Sequence, residues 1–152
     1  MGPNVKGNPL HISVYLLIIS YFFGEFVLPK YPIIYIFNLL GVLLIIISPI
    51  IFFSSRNAFY AYDENPLPPS DTDKIIKTGI YAYSRNPIYL SFVLFHLGMF
   101  LTFENTMYFL CSISLFFWLN NFVIKEEEKY LKNKFKDEYL RYCVSVKKWA
   151  IF

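Results

Sequence analysis

The sequence KTGIYAYSRNPIY, residues 77–89, decides how this chain is organised. Gly79 permits a tight approach or a positive φ, and Asn86 followed by Pro87 is typical of a helix N-cap and its first helical residue. The helix predicted to begin there is apolar for nearly its whole length. Backbone N–H groups at such a start are unpaired and attract an anion. The stretch therefore predicts either an anion-binding helix start or a capped membrane helix with Arg85 at the interface.

The composition of the chain is typical of an integral membrane protein with a single domain, residues 1–152. Of its 152 residues, 56% are hydrophobic and only 16% are charged, whereas soluble domains carry about 25% charged residues. Cys111 and Cys143 are too few to predict a disulfide framework or a zinc site, and no metal site is expected. The net charge of +3 is small, so nucleic acid is not an expected partner. The first apolar run is too long for a cleavable signal peptide.

Four apolar runs predict an all-α integral membrane fold with four transmembrane helices. A spanning helix needs about 20 mostly apolar residues, and the runs lie at about residues 10–28, 33–53, 87–103 and 106–124. Pro49 is expected to kink or end the second helix, because proline has no N–H to donate. Only Glu104 and Asn105 separate the last two runs, so these two helices are predicted to form a hairpin.

Two polar segments complete the predicted architecture. Residues 54–86 form a cytosolic loop whose proline-rich part, residues 65–71, is expected to fold over a site. Residues 125–152 form a cytosolic tail with an amphipathic helix, because apolar residues recur there at helical spacing. These residues are Leu131, Phe135, Tyr139 and Tyr142. Their shared face could also lie on anionic headgroups.

The distribution of Lys and Arg predicts the orientation of the chain in the membrane. With four spans, the amino terminus, the 54–86 loop and the tail share one side, which carries thirteen of the fourteen basic residues. The other side carries only Lys30. The positive-inside rule therefore puts both termini and the central loop in the cytoplasm, where soluble cofactors are available.

A second charged segment lies where the fourth run ends. Residues 126–128 are three glutamates, and carboxylates at an interface are costly to desolvate unless they meet a cationic or hydroxyl-rich partner. Neighbouring lysines could equally neutralise the run; these are Lys125, Lys129 and Lys132. The hairpin brings the carboxylates beside the helix start at Asn86, so a zwitterionic ligand would fit between them. S-adenosylmethionine is such a ligand, with a carboxylate for the helix start and a sulfonium and a ribose for Glu127 and Glu128, and the tyrosines could line the sulfonium and adenine.

Two motifs in the second half of the chain resemble those of a known family. The first, Thr78-Gly79-Ile80-Tyr81 followed by Arg85-Asn86-Pro87-Ile88-Tyr89, resembles the Gly-x-Tyr…Arg-(His/Asn)-Pro-x-Tyr signature of isoprenylcysteine carboxyl methyltransferases. The second is similar to the family's late Glu-Glu motif and comprises Glu127-Glu128-Lys129-Tyr130-Leu131, Phe135, Tyr139, Tyr142, Val146 and Trp149. Phospholipid methyltransferases are similar, and the resemblance covers about residues 73–149.

The resemblance implies a membrane methyltransferase that takes S-adenosylmethionine from the cytosol and a lipidic or prenylated acceptor from the bilayer. The family's cofactor-binding positions correspond here to Lys74, Ile75, Ile76, Tyr81, Asn86, Pro87, Ile88, Tyr89 and Glu127. Charge and position add Gly79, Arg85 and Glu128, with Arg85 either holding the cofactor carboxylate or anchoring at headgroups. Val123 stands where isoprenylcysteine enzymes have an arginine thought to meet the substrate carboxylate, so the acceptor stays open. Lys136 stands where the family's late motif has a glycine after its phenylalanine.

The sequence assigns no catalytic base, and it leaves other functions open. His96, inside the third run, is the candidate for deprotonating an amine acceptor or else a packing histidine. Asn120 and Asn121 could touch cofactor or bond a neighbouring helix. The Asn-Pro-x-Tyr stretch and a late Tyr142-Cys143 are also similar to those of membrane sterol reductases, which use NADPH. A non-catalytic membrane scaffold is the third possibility, and it would bind no nucleotide-like ligand.

Overall fold

The computed structural model describes residues 2–5, 7–66 and 70–150, and this part of the chain is all-helical with no strand. A 3₁₀ turn, Gly79–Ala82, precedes the third helix, and a π-helical segment, Leu119–Ile124, follows the fourth. The six helices are α1 Pro9–Phe26, α2 Tyr35–Tyr60, α3 Pro87–Phe103, α4 Thr106–Trp118, α5 Lys125–Phe135 and α6 Asp137–Ser145. The predicted all-α fold is therefore confirmed.

In the part of the chain that the structure describes, three helical stretches are long and apolar enough to cross a membrane: Pro9–Phe26, Tyr35–Tyr60 and Thr106–Phe135. The last of these is α4, the π-helical segment and α5 in one uninterrupted helix. α3 is apolar too, but its 17 residues fall short of the length that a span usually needs. The structure thus supports three of the four predicted spans by length and composition, and the fourth stays a prediction.

The hairpin between α3 and α4 forms as predicted and is closed at its turn by side chains. Glu104 ends α3 in the left-handed conformation, with φ 56°, and the Asn105 side chain caps α4 by accepting from Met107 N–H at 3.0 Å. Glu104 Oε1 also accepts from Ile33 N–H at 3.0 Å and from Asn38 Nδ2 at 3.3 Å. These bonds tie the turn to the start of α2. The start of α2, the end of α3 and the start of α4 are therefore held together.

The predicted end of the second helix, at residue 53, is wrong. α2 continues to Tyr60 with Pro49 inside it, so the connecting loop begins after Tyr60 and not at residue 54. Pro49 removes the backbone hydrogen bond to Ile45 O, and the helix continues through it while packed against α3. The hydroxyls of Ser48 and Ser55 donate to other carbonyls, Leu44 O and Ile51 O, both at 2.6 Å. The extension carries the last turn of α2 beyond the apolar run and toward the start of α3.

α3 is the centre of the bundle because α2 and α4 both pack on it, while α1 packs mainly on α4. The contact of α2 with α3 is close enough that a Cβ on Gly98 would lie 2.9 Å from Gly41 O. Two glycines are required here, since a Cβ on Gly41 would lie 2.7 Å from Thr102 N. This close packing fixes how near the first half of α2 lies to the last half of α3.

The tail is not the single amphipathic helix that its spacing predicts. It breaks at Lys136, which has φ 46° and ψ −118°, and α6 folds back along the protein. Its apolar face forms a buried cluster of Tyr139, Tyr142 and Val146, packed against Ile75, Leu131, Phe135 and Cys143. The face therefore covers the segment before the 3₁₀ turn, and it does not lie on headgroups.

Candidate active site

A cavity of about 130 Å³ lies at the end of the bundle where α3 begins and α5 leaves the apolar part of its helix. Its walls come from the end of α2, the connecting loop, the start of α3, α5 and α6. Ten of the twelve residues predicted for cofactor binding line it: Lys74, Ile75, Ile76, Tyr81, Arg85, Asn86, Ile88, Tyr89, Glu127 and Glu128. The structure thus brings both sequence motifs to one cavity, and their role in cofactor binding stays a prediction.

The other two predicted residues, Gly79 and Pro87, shape the site without lining it. Gly79 has φ 60° and starts the 3₁₀ turn that carries Tyr81 into the wall. No atom lies within 4 Å of where its Cβ would be, so its backbone conformation and not its size explains the glycine. Pro87 is the buried first residue of α3, a position that its fixed φ favours.

Tyr89 and Glu127 join α3 to α5 across the cavity. The Tyr89 hydroxyl donates to Glu127 Oε1 at 2.5 Å. Within the described residues, Tyr89 is the only hydrogen-bond partner of Glu127, so the second carboxylate oxygen meets no protein donor. The π-helical segment just before α5 widens the helix by one residue, a feature often found at functional sites. This shift in register helps to set where Glu127 faces.

Arg85 links the entry of α3 to α5 and to the end of α6. Its guanidinium lies 2.8 Å from Glu128 Oε1 and donates to Cys143 O at 3.1 Å and Val146 O at 2.7 Å. The side chains of Arg85 and Glu128 are only 12% and 15% exposed. Burial alone would lower the pKa of Arg85, but its hydrogen bond to Glu128 and the charges around it together outweigh burial, and the pKa is raised. Arg85 is therefore buried and joins these segments. Of its two predicted roles, the headgroup anchor does not fit this burial, and the binding of the cofactor carboxylate stays a prediction.

Glu128 is neutralised by residues far from it in sequence. Besides Arg85, Lys148 lies 3.3 Å from Glu128 Oε2. The local lysines that the sequence offered as neutralising partners do not pair with it. Glu127 and Glu128 thus have different surroundings. Glu128 forms ion pairs with Arg85 and Lys148, whereas Glu127 has one oxygen bonded by Tyr89 and the other without a protein donor among the described residues.

Asn86 is at the N-cap position of α3, as predicted, but its side chain does not cap the helix. Its amide donates instead to Lys148 O at 3.1 Å. The first N–H groups of α3 belong to Ile88 and Tyr89, because Pro87 has none, and both residues line the cavity. The first turn of α3, where the sequence predicts unpaired N–H groups, therefore lies at the cavity wall.

Aromatic side chains form much of the remaining wall, and several were missed from sequence. Phe59 packs on Tyr81 with ring centroids 5.5 Å apart, and the Tyr142 hydroxyl donates to Tyr81 O at 2.7 Å. Burial raises the pKa of Tyr81 well above its ordinary value, so this phenol stays neutral. Phe59 was missed because α2 was predicted to end too early. The aromatic face of the tail was the available signal for Tyr139 and Tyr142.

The described part of the connecting loop lies over the cavity, where Asn65, Pro66, Ser70 and Thr72 contribute to the lining. It is held by charges, with Lys134 Nζ 2.6 Å from Asp71 and 2.9 Å from Asp73. The Tyr130 hydroxyl also donates to Asp71. Hydrogen bonds from Lys134 and Tyr130 lower the pKa of Asp71. Residues 67–69 of the proline-rich stretch lie outside the described residues.

Four residues named from sequence do not line this cavity. His96 is fully buried in α3, with its Nδ1 2.8 Å from Phe92 O. Val123 lies in the apolar core with Leu115 and Leu119, so the position predicted for a substrate arginine faces packed side chains. Asn120 and Asn121 lie in the π-helical segment, and the Asn120 amide donates to Asn121 Oδ1 at 3.5 Å. The structure gives none of the four a place at the cavity.

Helices of this length and apolarity, with a polar and aromatic cavity at one end of the bundle, define a helical integral membrane protein. The family model described as phospholipid methyltransferase matches residues 36–138, which include most of the cavity wall. The chain belongs to the phospholipid methyltransferase family. The resemblance found from the motifs is thus confirmed.

Two curated proteins are similar to parts of this chain. Protein-S-isoprenylcysteine O-methyltransferase of Saccharomyces cerevisiae is 35% identical over 68 residues, which are 45% of this chain but only 28% of the yeast protein. An uncharacterized protein of Haemophilus influenzae is 40% identical over 62 residues, 41% of this chain and 98% of that protein. No solved structure matches the chain. The family match and the yeast relative favour a membrane methyltransferase over the sterol-reductase-like and scaffold alternatives.

Proposed function

We propose that this protein is an S-adenosylmethionine-dependent methyltransferase that acts at the membrane on a lipidic or small hydrophobic acceptor, like the isoprenylcysteine carboxyl methyltransferases. The observation that carries the proposal is the Tyr89–Glu127 pair, which joins the open start of α3 to a carboxylate across one cavity. The family match and the named yeast relative support methyl transfer. Both termini and the connecting loop are proposed to face the cytoplasm, since the basic residues are concentrated there.

The residues of the cavity fit the chemistry of S-adenosylmethionine. The N–H groups at the start of α3 would receive its carboxylate, because a helix start attracts anions. The free oxygen of Glu127 would accept from ribose hydroxyls or face the ammonium. The phenyl and phenol rings of Phe59 and Tyr81 would contact the adenine and sulfonium. The residues that carry these groups all line the cavity, and Arg85 connects the segments that form its walls.

S-adenosylmethionine, when bound, supplies an electrophilic methyl group whose bond to sulfur breaks as its bond to the acceptor atom forms, leaving S-adenosylhomocysteine. What the chain contributes is orientation and exclusion of water, since such an in-line displacement depends mainly on proximity and alignment. The connecting loop over the cavity and the aromatic wall provide that exclusion. No base is assigned, because His96 does not line the cavity and a carboxylate or thiolate acceptor needs none.

Binding of the cofactor product to the full chain in detergent tests the cavity directly. We expect S-adenosylhomocysteine and S-adenosylmethionine to raise the melting temperature as ligand concentration increases, and NADPH to have no effect. Glu127→Gln should weaken binding by tenfold or more, since a hydrogen bond to a charged group contributes about 1.5–3 kcal/mol. Glu126→Gln is the matched control, because it is a neighbouring carboxylate that does not line the cavity. Equal affinity in both variants, or a response to NADPH alone, would refute the assignment.

Transfer of labelled methyl groups tests the reaction itself. Native membrane lipids and small prenylcysteine carboxylates would be incubated with the protein and methyl-labelled S-adenosylmethionine. We expect label in an apolar, extractable product, with Glu127→Gln reduced and Glu126→Gln unchanged at limiting cofactor. Cofactor binding without any labelled apolar product would show that the acceptor part of the proposal is wrong.

A further inference from the structure

The outer face of α6, opposite the buried cluster of the tail, carries exposed apolar side chains. Leu140 is 49% exposed and Val144 is 90% exposed. They are four positions apart, and Arg141 is three positions before Val144, so the three residues share one face of the helix. Single exposed apolar residues are common in soluble proteins. The position of this face relative to the membrane therefore decides what it means.

The chain after α6 shows how close this face lies to the membrane. Trp149 is buried and packs on Phe116, with ring centroids 4.9 Å apart. Phe116 is eight residues before the apolar stretch ends at Ile124, which is about 12 Å along a helix. Val144 precedes Trp149 by five residues, and five residues span at most about 18 Å. The end of α6 therefore lies near the boundary between the apolar layer and water.

The segment before α3 lies beside this end of α6 and adds an exposed aromatic side chain. Ser84 Oγ donates to Lys148 O at 3.2 Å, so the two segments are in contact. Tyr83, the residue before Ser84, is 76% exposed. Tyrosine is enriched where a membrane meets water, because its ring is apolar and its hydroxyl is polar. Tyr83 and Val144 are thus two exposed side chains near one boundary.

The unpaired charges near this end of α6 are positive. Arg141 and Lys147 are exposed, and neither side chain forms an ion pair or a hydrogen bond within the described residues. The carboxylates close by are already paired, Glu128 with two cations and Glu138 with a lysine of the connecting loop at 2.6 Å. Asp137 is at the opposite end of α6, farther from the boundary. Two free cations beside apolar side chains complement anionic phospholipid headgroups.

We infer that the outer face of α6 docks on the membrane surface and binds the anionic headgroup of a phospholipid. Arg141 and Lys147 face the phosphate, and Val144 and Tyr83 lie at the level where the acyl chains begin. This face is opposite to the one whose spacing in the sequence also suits headgroups. The lipid lies outside the cavity and is not the methyl acceptor. The inference uses only the outer face of α6, so it does not depend on methyl transfer.

Fluorescence quenching tests the position of this face. The full chain with Tyr83→Trp is reconstituted into nanodiscs of phosphatidylcholine, with or without bromine on the acyl carbons nearest the headgroup. The signal of the wild type in the same discs is subtracted. We expect the added tryptophan to lose most of its fluorescence in the brominated bilayer, because bromine quenches indole only at close contact. Lys132→Trp, on the exposed side of α5, should keep its fluorescence. An unquenched tryptophan at position 83 would place this face in water or against a protein and overturn the inference.

Lipid titration followed by native mass spectrometry tests the headgroup. The full chain in maltoside micelles receives phosphatidylglycerol or phosphatidylcholine with the same acyl chains. We expect phosphatidylglycerol to bind the wild type about tenfold or more tightly, since each basic residue near an anionic surface contributes about fivefold in affinity. Arg141→Gln combined with Lys147→Gln should remove this preference. Lys129→Gln combined with Lys132→Gln, which removes the same charge from exposed positions of α5, should retain it.

The remaining outcomes each decide the inference. No preference in the wild type, or an unchanged preference without Arg141 and Lys147, overturns it. Equal loss in both double variants would show an effect of net charge alone and overturn it as well. Glycerol phosphate, which has no acyl chains, should not displace the lipid, and displacement would show an anion site without membrane contact. Failure of the wild type to bind S-adenosylhomocysteine would refute the proposed function and leave this inference standing.

Discussion

Lys136 is held in a backbone conformation that costs stability, and replacing it with glycine should raise the melting temperature. Its φ of 46° and ψ of −118° belong to a region that residues with a Cβ rarely adopt. Such a conformation costs about 1–3 kcal/mol, whereas glycine loses about 0.5–1 kcal/mol of extra chain entropy on folding. The net gain expected for Lys136→Gly is therefore roughly 0.5–2 kcal/mol. For a chain of this size, about 2–4 °C per kcal/mol gives a rise of about 1–8 °C.

The matched control is Lys132→Gly, one turn earlier on the same exposed helix. Lys132 lies inside α5 with helical geometry, so glycine there should cost about 1 kcal/mol and lower the melting temperature. Both variants remove one exposed lysine, so the loss of charge cancels between them. Thermal unfolding in detergent, followed by circular dichroism, measures both. S-adenosylhomocysteine affinity should stay unchanged in both, because neither residue lines the cavity. Equal destabilisation by the two substitutions would refute the reasoning about strain at Lys136.

Three further predictions concern the loop and the helix packing. Asp71→Asn should speed release of S-adenosylhomocysteine in stopped-flow measurements, because it breaks the contact of the loop with Lys134, whereas Asp137→Asn should not. The lowered pKa of Asp71 means that this contact is complete above the ordinary aspartate pKa of about 3.9 and is lost only as pH falls further, so the ratio of the release rates of Asp71→Asn and the wild type should be constant from about pH 7 to 5. A fall in that ratio within this range would contradict the pairing. Gly98→Ala should destabilise by about 1–3 kcal/mol, since its Cβ would meet Gly41 O at 2.9 Å; an unchanged melting temperature would show that α2 and α3 can separate.

The parts of the fold predicted correctly from sequence are those fixed by neighbouring residues. Asn86 and Pro87 mark the start of α3, and a short polar turn at Glu104 and Asn105 forces the hairpin. The hairpin then brings residues near both of its open ends to one place, which is why ten of the twelve predicted site residues share a cavity. Local signals and a short connection were sufficient for that result.

The parts predicted wrongly depend on contacts between distant residues. Pro49 is a helix-ending signal, but packing on α3 keeps α2 intact. The tail breaks at Lys136, which has a positive φ but is not a glycine, so no local signal in the sequence predicts the break. The partner of Glu128 could not be chosen from sequence either, because lysines on the same helix were as plausible as an arginine 43 positions away.

That choice of partner explains how two adjacent glutamates acquire different roles. Arg85 and Lys148 both approach Glu128, and Arg85 also binds two carbonyls near the end of α6. Glu128 is neutralised and held in place in this way, and its part in cofactor binding stays a prediction. Glu127 has only the Tyr89 hydroxyl as a hydrogen-bond partner among the described residues, so it retains a free oxygen at the cavity. The buried ion pair at Glu128 therefore positions the neighbouring carboxylate that we propose binds the cofactor.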